Sequence, residues 1–206
     1  WSAFQAGEYD VVLLTYSALS RTQIDPDFLE DYATKTIAIR RSIAMATDKA
    51  GKARGISERR EAEIKARVKK WLAEVLSPPR GWKYDTGIDW HQFGVDLLLV
   101  DEAQNFKNLF HSARQGEKQD TKRAWALDFR CASVRAHSGG AGVILLSATP
   151  AKNDPVEFYN LLHYLHPGVW DQVAIDNHEA FLNRFGEYEK KTVPNAAGTA
   201  LEEKEV

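Results

Sequence analysis

The sequence predicts an α/β domain, and three observations carry that reading. Two short apolar runs, Leu97–Val100 and Val143–Leu146, lack polar alternation. They suit strands of a parallel sheet buried on both faces, a pattern that a buried helical segment shares. Each run ends abruptly, in Asp101-Glu102-Ala103-Gln104 and in Ser147-Ala148-Thr149-Pro150. Helix-periodic stretches lie between and after them, and strand–helix alternation argues for an α/β sheet. In such sheets the ligand crevice lies beyond the carboxyl ends of the strands, so Asp101 and Glu102 are expected to face it. One acid there can offer hard oxygens to Mg²⁺ and share the ion with phosphates. A second can orient or deprotonate a water.

Tyr9–Tyr16 (YDVVLLTY) reads as a further buried strand, rich in β-branched and aliphatic residues. Thr15, Tyr16 and Ser17 stand at its end, where turn chemistry alone also selects hydroxyls. Asp25-Pro26-Asp27 is a helix start. Phe28, Tyr32, Ile39 and Ile43 recur at near-helical spacing until Lys49–Gly55 (KAGKARG) breaks the pattern into a loop. A second helix is expected from Ser57 to about Leu76, with Ile64, Val68, Trp71, Leu72 and Val75 as its apolar stripe. Pro78 and Pro79 end it. Trp82, Tyr84, Trp90 and Phe93 are expected to pack this pair of helices onto the domain; a platform for a stacked base is the other use of such rings.

After the acidic motif, residues 111–120 read as a polar loop and 121–137 as a helix stopped by Gly139-Gly140. The segment after Pro150 predicts a helix over 155–165 with Val156, Phe158, Tyr159, Leu162 and Leu165 as its apolar side. A further helix is expected over about 177–185, and the Lys/Glu-rich remainder from Glu187 reads as a loosely ordered tail.

Charge is segregated along the chain. Lys35–Lys70 holds twelve Lys or Arg against four Asp or Glu, a formal +8 in a chain whose total is −2. A solvated helix face explains such a stretch, and so does a surface that meets a polyanion. Arg59, Arg60, Lys65 and Lys69 on the second helix are the candidate phosphate contacts. The single cysteine, Cys131, falls in a helix and reads as a small core residue; one cysteine excludes an intrachain disulfide and fits a reducing compartment. No apolar run approaches the ~20 residues that span a bilayer. His91 has no neighbours at metal-ligand spacing.

Asp101-Glu102-Ala103-Gln104 resembles motif II of the superfamily-two helicases and translocases, and Ser147-Ala148-Thr149-Pro150 resembles their motif III. Asn105–Asn108 (NFKN) and Asn153–Leu165 (NDPVEFYNLLHYL) are similar to the segments just after those motifs in the Swi/Snf-type double-stranded DNA translocases. Tyr9–Leu19 is similar to the strand and loop that precede motif II there. The arrangement is also similar to large helicase-like polypeptides of phages and plasmids that accompany DNA methyltransferases.

The resemblance implies a partial RecA-like parallel sheet domain with a basic helical insertion. Residues 1–24 and 81–186 would form part of a first motor lobe, 25–80 the insertion and 187–206 a tail or linker. It implies ATP and Mg²⁺ as cofactors, with Asp101 helping to hold the metal and Glu102 orienting the attacking water. Gln104 stands where many relatives carry His and would bridge to motif III or the other lobe. Ser147, Ala148 and Thr149 would sense the nucleotide, and Thr15, Tyr16 and Ser17 would lie near a DNA track. Partners would be nucleic acid, chiefly double-stranded DNA, and the remaining motor lobe and flanking domains of the same polypeptide, with no membrane. The location would be cytoplasmic, in a bacterial, phage or plasmid setting.

The sequence contains no G-x-x-x-x-G-K-[ST] loop to hold nucleotide phosphates. In proteins of this type that loop lies upstream of the Tyr9 region, so the chain is expected to be an internal piece of a longer protein. Two other readings fit the same residues: a non-catalytic DNA- or protein-binding module built on the basic hairpin, and the motor part of a restriction enzyme.

Overall fold

Leu98–Val100 (β1) and Val143–Leu145 (β2) pair in parallel, with Leu98 opposite Val143, Leu99 opposite Ile144 and Val100 opposite Leu145. The strand leading to Ser147 therefore lies beside the strand leading to Asp101. The structure, a computed structural model, describes residues 2–36, 39, 58–76, 89–110, 122–151, 154–175, 177–187, 190–194 and 201–205. The expected loops at 49–55 and 111–120, together with Ile43, Trp82, Tyr84 and Asn153, lie outside the described residues.

Before the sheet come Ser2–Gln5 (α1), Tyr16–Leu19 (α2), Pro26–Lys35 (α3), Glu58–Val75 (α4) and a 3₁₀ turn at Trp90–Phe93. A second 3₁₀ turn, Ala103–Phe106, succeeds β1. Lys122–His137 (α5) then leads to β2. After β2 come Val156–Leu165 (α6), Val169–Gln172 (α7), His178–Phe185 (α8) and an antiparallel pair, Lys190–Pro194 (β3) with Leu201–Glu205 (β4). The result is a mixed α/β arrangement.

Helix α5 is the centre of the core. It is buried on nearly every side from Ala124 to Arg135. Trp125 meets Trp71 of α4 edge-on at 4.7 Å and Phe110 at 5.4 Å, and Phe110 in turn meets Tyr159 of α6 at 5.9 Å. Each such aromatic pair adds about 0.5–1.5 kcal/mol beyond the area it buries. The predicted stripe on α4 does pack inward, with Val68 and Leu72 buried and Trp71 and Val75 half-buried. Trp90 and Phe93 are buried too, and the Arg130 guanidinium lies 5.7 Å from the Trp90 ring centroid. Arg130 also donates to the hydroxyl and carbonyl oxygens of Thr22, tying the segment before α3 to the central helix. Cys131 is fully buried, which pushes its thiol pKa up. Gly142, at φ 88°, has its ideal Cβ position 2.3 Å from the Asp96 carbonyl oxygen, so a larger residue would disrupt the entry into β2.

Four expectations are corrected. Residues 9–15 form no strand, and Val11 and Leu13 are 75% and 94% exposed. A strand needs a neighbour for its backbone groups, and no described residue supplies one there. Second, β1 and β2 are buried on one face. Leu98, Val100, Val143 and Leu145 join the core, whereas Leu97, Leu99, Ile144 and Leu146 are exposed, because the described helices lie on one side only.

Third, α6 does not bury its most apolar side. Val156 and Tyr159 point inward as expected, but Phe158, Leu162 and Leu165 are exposed while Glu157, Asn160 and His163 are buried. Those three polar side chains find partners inside, in Lys107, His178 and Asp128, which makes their burial tolerable. Fourth, the segment read as a loose tail contains the β3–β4 pair. Its strands run antiparallel, with Lys190 opposite Glu205 and Pro194 opposite Leu201 in the register.

A polar cluster lies within the helix layer. The Tyr32 hydroxyl donates to both Asp128 oxygens, at 3.2 and 3.0 Å, and His163 Nε2 lies 3.5 Å from Asp128 Oδ1. Burial pushes the Asp128 carboxyl up to about 7, against the opposing pull of the Arg135 charge. Burial, helped by Arg135, pulls His163 down to about 3. The two effects oppose each other in stability. The raised Asp128 contribution is present below its unfolded pKa and is lost as pH rises towards 7. The lowered His163 contribution is present above its unfolded pKa and is lost as pH falls towards 3.

Stability of the parent should therefore be nearly flat with pH between about 4 and about 6.5 as far as this pair is concerned, since one group's proton uptake on unfolding cancels the other's release. Asp128→Asn should unmask the histidine, so that urea unfolding shows stability rising with pH across that window. His163→Gln should produce the opposite slope. Separately, the chain should self-associate through the apolar sheet face and the edge of β2, both uncovered among the described residues, seen as concentration-dependent sedimentation. Leu99→Lys with Ile144→Lys should reduce it to monomer.

Candidate functional site

Strand β1 ends at Val100, and Asp101 and Glu102 emerge exposed from its carboxyl end. The adjoining ladder continues one step further: Leu146 N–H donates to the Val100 carbonyl at 2.8 Å, and Ala103 N–H donates to the Leu146 carbonyl at 2.9 Å. This brings the turn after β1 against the segment after β2.

Glu102 adopts a left-handed backbone, φ 48° and ψ 47°. For a non-glycine residue this costs roughly 1–2 kcal/mol and persists where surrounding contacts over-determine it. Three contacts do so here. Glu102 N–H donates to its neighbour's Asp101 Oδ1 at 2.9 Å. Asn105 Nδ2 donates to the Glu102 carbonyl at 3.0 Å. Gln104 Nε2 donates to Glu102 Oε2.

Gln104 is the link between the two motifs. While its amide nitrogen holds the Glu102 carboxylate, its Oε1 accepts from the Ser147 hydroxyl at 2.6 Å. Ser147 Oγ in turn accepts from Thr149 N–H at 3.1 Å. The chain Thr149–Ser147–Gln104–Glu102 is continuous, and Gln104 and Ser147 are half-buried while Ala148 and Thr149 are exposed. The Asp101 and Glu102 carboxylates thus project outward from a fixed turn, with the second oriented by the first motif's own amide.

Tyr16 fixes the site from a third side. Its hydroxyl donates to the Asp101 carbonyl at 2.6 Å, and its ring meets Phe106 edge-on at 5.0 Å. Thr15 caps α2 by accepting from Ala18 N–H at 3.2 Å, and its hydroxyl lies 3.1 Å from that of Ser17. Thr15 and Ser17 are exposed, whereas Tyr16 is committed to the site's inner wall. Lys65 and Lys69 are exposed on α4, with Lys69 Nζ 3.4 Å from Glu30 on α3. The side chains of Arg59 and Arg60 lie outside the described residues.

A second set of ties, behind the site, escaped the sequence reading. Lys107 Nζ pairs with Glu157 of α6 at 2.7 Å, both largely buried. Asn160 Nδ2 donates to the Lys107 carbonyl at 2.7 Å, and His178 Nε2 lies 2.9 Å from Asn160 Oδ1. The Tyr164 hydroxyl donates to the Phe106 carbonyl at 2.8 Å. The polar residues spaced along an otherwise apolar helix, Glu157, Asn160 and His163, were the available signal. Among the described residues no cluster of His, Cys, Asp and Glu could hold a metal by itself. No described helix is long and apolar enough to cross a membrane.

No solved structure matches the chain. It is 24% identical over 214 residues to the defense against restriction protein B of Escherichia phage P1, a match that covers 98% of this chain. The chain spans 9% of that relative's length. Residues 1–196 match the model of a probable helicase domain family, and the chain belongs to that family.

Proposed function

We propose that the chain is part of the first motor lobe of an ATP-driven DNA translocase of the superfamily-two, Swi/Snf type, with a RecA-like fold completed by other parts of the polypeptide. The observation that carries this reading is the hydrogen-bonded chain from Ser147 through Gln104 to Glu102 at the ends of adjacent parallel strands. It gives a nucleotide-facing carboxylate a direct line to a neighbouring segment. Membership of a helicase family supports the same conclusion. The phage relative's name extends the proposal to a role in protecting DNA against restriction.

The residues fit Mg²⁺ held jointly with a nucleotide. Asp101 is exposed and accepts from Glu102 N–H through Oδ1, and its second oxygen has no partner among the described residues. Hard carboxylate oxygens in small number suit an ion that keeps waters and phosphate ligands. When bound, the metal would neutralise charge on the β- and γ-phosphates. Glu102 orients the attacking water and accepts its proton. Gln104 holds that carboxylate in place, and Ser147 holds Gln104. The phosphates themselves need a grip that this sequence lacks, so the chain alone is expected to show no useful ATP turnover.

In the full-length polypeptide, Asp101→Asn or Glu102→Gln should lower DNA-stimulated ATP hydrolysis by about 10²–10⁴-fold while DNA binding persists. Unchanged activity in both variants would favour a binding module built on the exposed cations of α4. Lys65→Ala with Lys69→Ala should weaken DNA binding equally across sequences and flatten its salt dependence by about one unit per residue. A sequence-dependent loss would exclude simple phosphate contacts.

A further inference from the structure

The turn that carries Glu102 is strained, so something must hold it at both ends. Its upstream end is held by the sheet, through Ala103 N–H to the Leu146 carbonyl. Its downstream end reaches Phe106 and Lys107, and there the ties come from α6. Tyr164 holds the Phe106 carbonyl, Asn160 holds the Lys107 carbonyl, and Glu157 holds the Lys107 ammonium. Helix α6 is the element that comes after Ser147–Pro150 in the chain. The same two segments are therefore joined twice, once in front by Gln104 and Ser147 and once behind by α6.

The rear junction is well suited to hold position. The Lys107–Glu157 pair is 2.7 Å apart, with side chains 19% and 5% exposed. A pair this sheltered is little screened by salt and leaves an uncompensated charge if either partner is removed. Asn160 is itself fixed, with His178 of α8 at its carbonyl oxygen. The pair is sheltered where the Asp101 and Glu102 carboxylates are exposed, and it acts on them through the backbone from Lys107 back to Glu102.

We propose that Lys107 and Glu157 are positioning residues for the site: their sheltered ion pair, with Asn160 on the Lys107 carbonyl, fixes the turn at Ala103–Phe106 and so the aim of the Glu102 carboxylate. The proposal rests on the motor reading. It deepens that reading by assigning the loop after the acidic motif and the helix after Ser147–Pro150 a joint task. Movement of either segment on nucleotide turnover must carry the other with it.

The test uses the full-length polypeptide with Lys107→Met, Glu157→Gln and Lys107→Arg, beside Glu102→Gln as reference. Lys107→Met and Glu157→Gln should lower kcat for DNA-stimulated ATP hydrolysis by about 10- to 100-fold, the scale of a misplacement of about an ångström, with KM for ATP within about twofold. Lys107→Arg keeps the charge and should recover most of kcat. Without nucleotide, the amides of Ala103 and Asn105 should exchange hydrogen faster in Lys107→Met than in the parent. If Lys107→Met does not fold, Glu157→Gln, which keeps its side-chain shape, decides alone. A folded variant that retains parental kcat, or whose loss lies in KM, overturns the proposal while the motor reading stands. If Glu102→Gln also leaves turnover intact, both fall together.

Discussion

The parallel pairing of β1 with β2 is the constraint on which the site depends. Its register, Val100 opposite Leu145, delivers Asp101 and Glu102 beside Leu146 and Ser147. A slip of one residue would turn Val100 away from the core and carry Gln104 out of reach of Ser147. The register is protected by burial of Leu98, Val100, Val143 and Leu145 on one face. It is reinforced beyond the strand ends by the Ala103–Leu146 backbone bond. A short sheet thus gains precision from the helices packed under it and from the contacts that close the turn above it.

The helix layer beneath is built from aromatic contacts with a polar core inside them. Trp125, Phe110 and Tyr159 form a continuous edge-on series, and Tyr159 stacks on Trp170 at 4.8 Å. Within that layer Asp128 and His163 are fully enclosed, with the Tyr32 hydroxyl on the carboxylate and Arg135 donating to the Tyr164 carbonyl. Enclosed polar groups cost stability unless satisfied, but they also specify a single arrangement of helices. Tyr164 links the two layers, since the helix that receives Arg135 also holds the Phe106 carbonyl behind the site.

Much of the local structure was legible in the sequence because periodicity and punctuation are local properties. The α4 stripe, the α5 helix with its glycine stop, the start of α3 at Asp25-Pro26 and the two strands all fall close to their expected positions. Three of the misses share a cause: they depend on partners far away in the chain. Tyr9–Thr15 has strand composition and no neighbour to pair with among the described residues. Helix α6 hides Glu157, Asn160 and His163 because Lys107, His178 and Asp128 await them, which hydrophobicity along one helix does not reveal. The acids of the site were visible as an abrupt end to an apolar run. The left-handed turn at Glu102 was not, since no glycine marks it.

Gln104 gives the junction a property that a titrating side chain would not share. A primary amide presents a donor at one end and an acceptor at the other, and it neither gains nor loses a proton near neutrality. Facing a carboxylate on one side and a hydroxyl on the other, it has one favourable orientation; turned over, it would set oxygen against oxygen. The wiring between the two loops is therefore polarised, running one way from the Ser147 hydroxyl through the Gln104 amide to the Glu102 carboxylate.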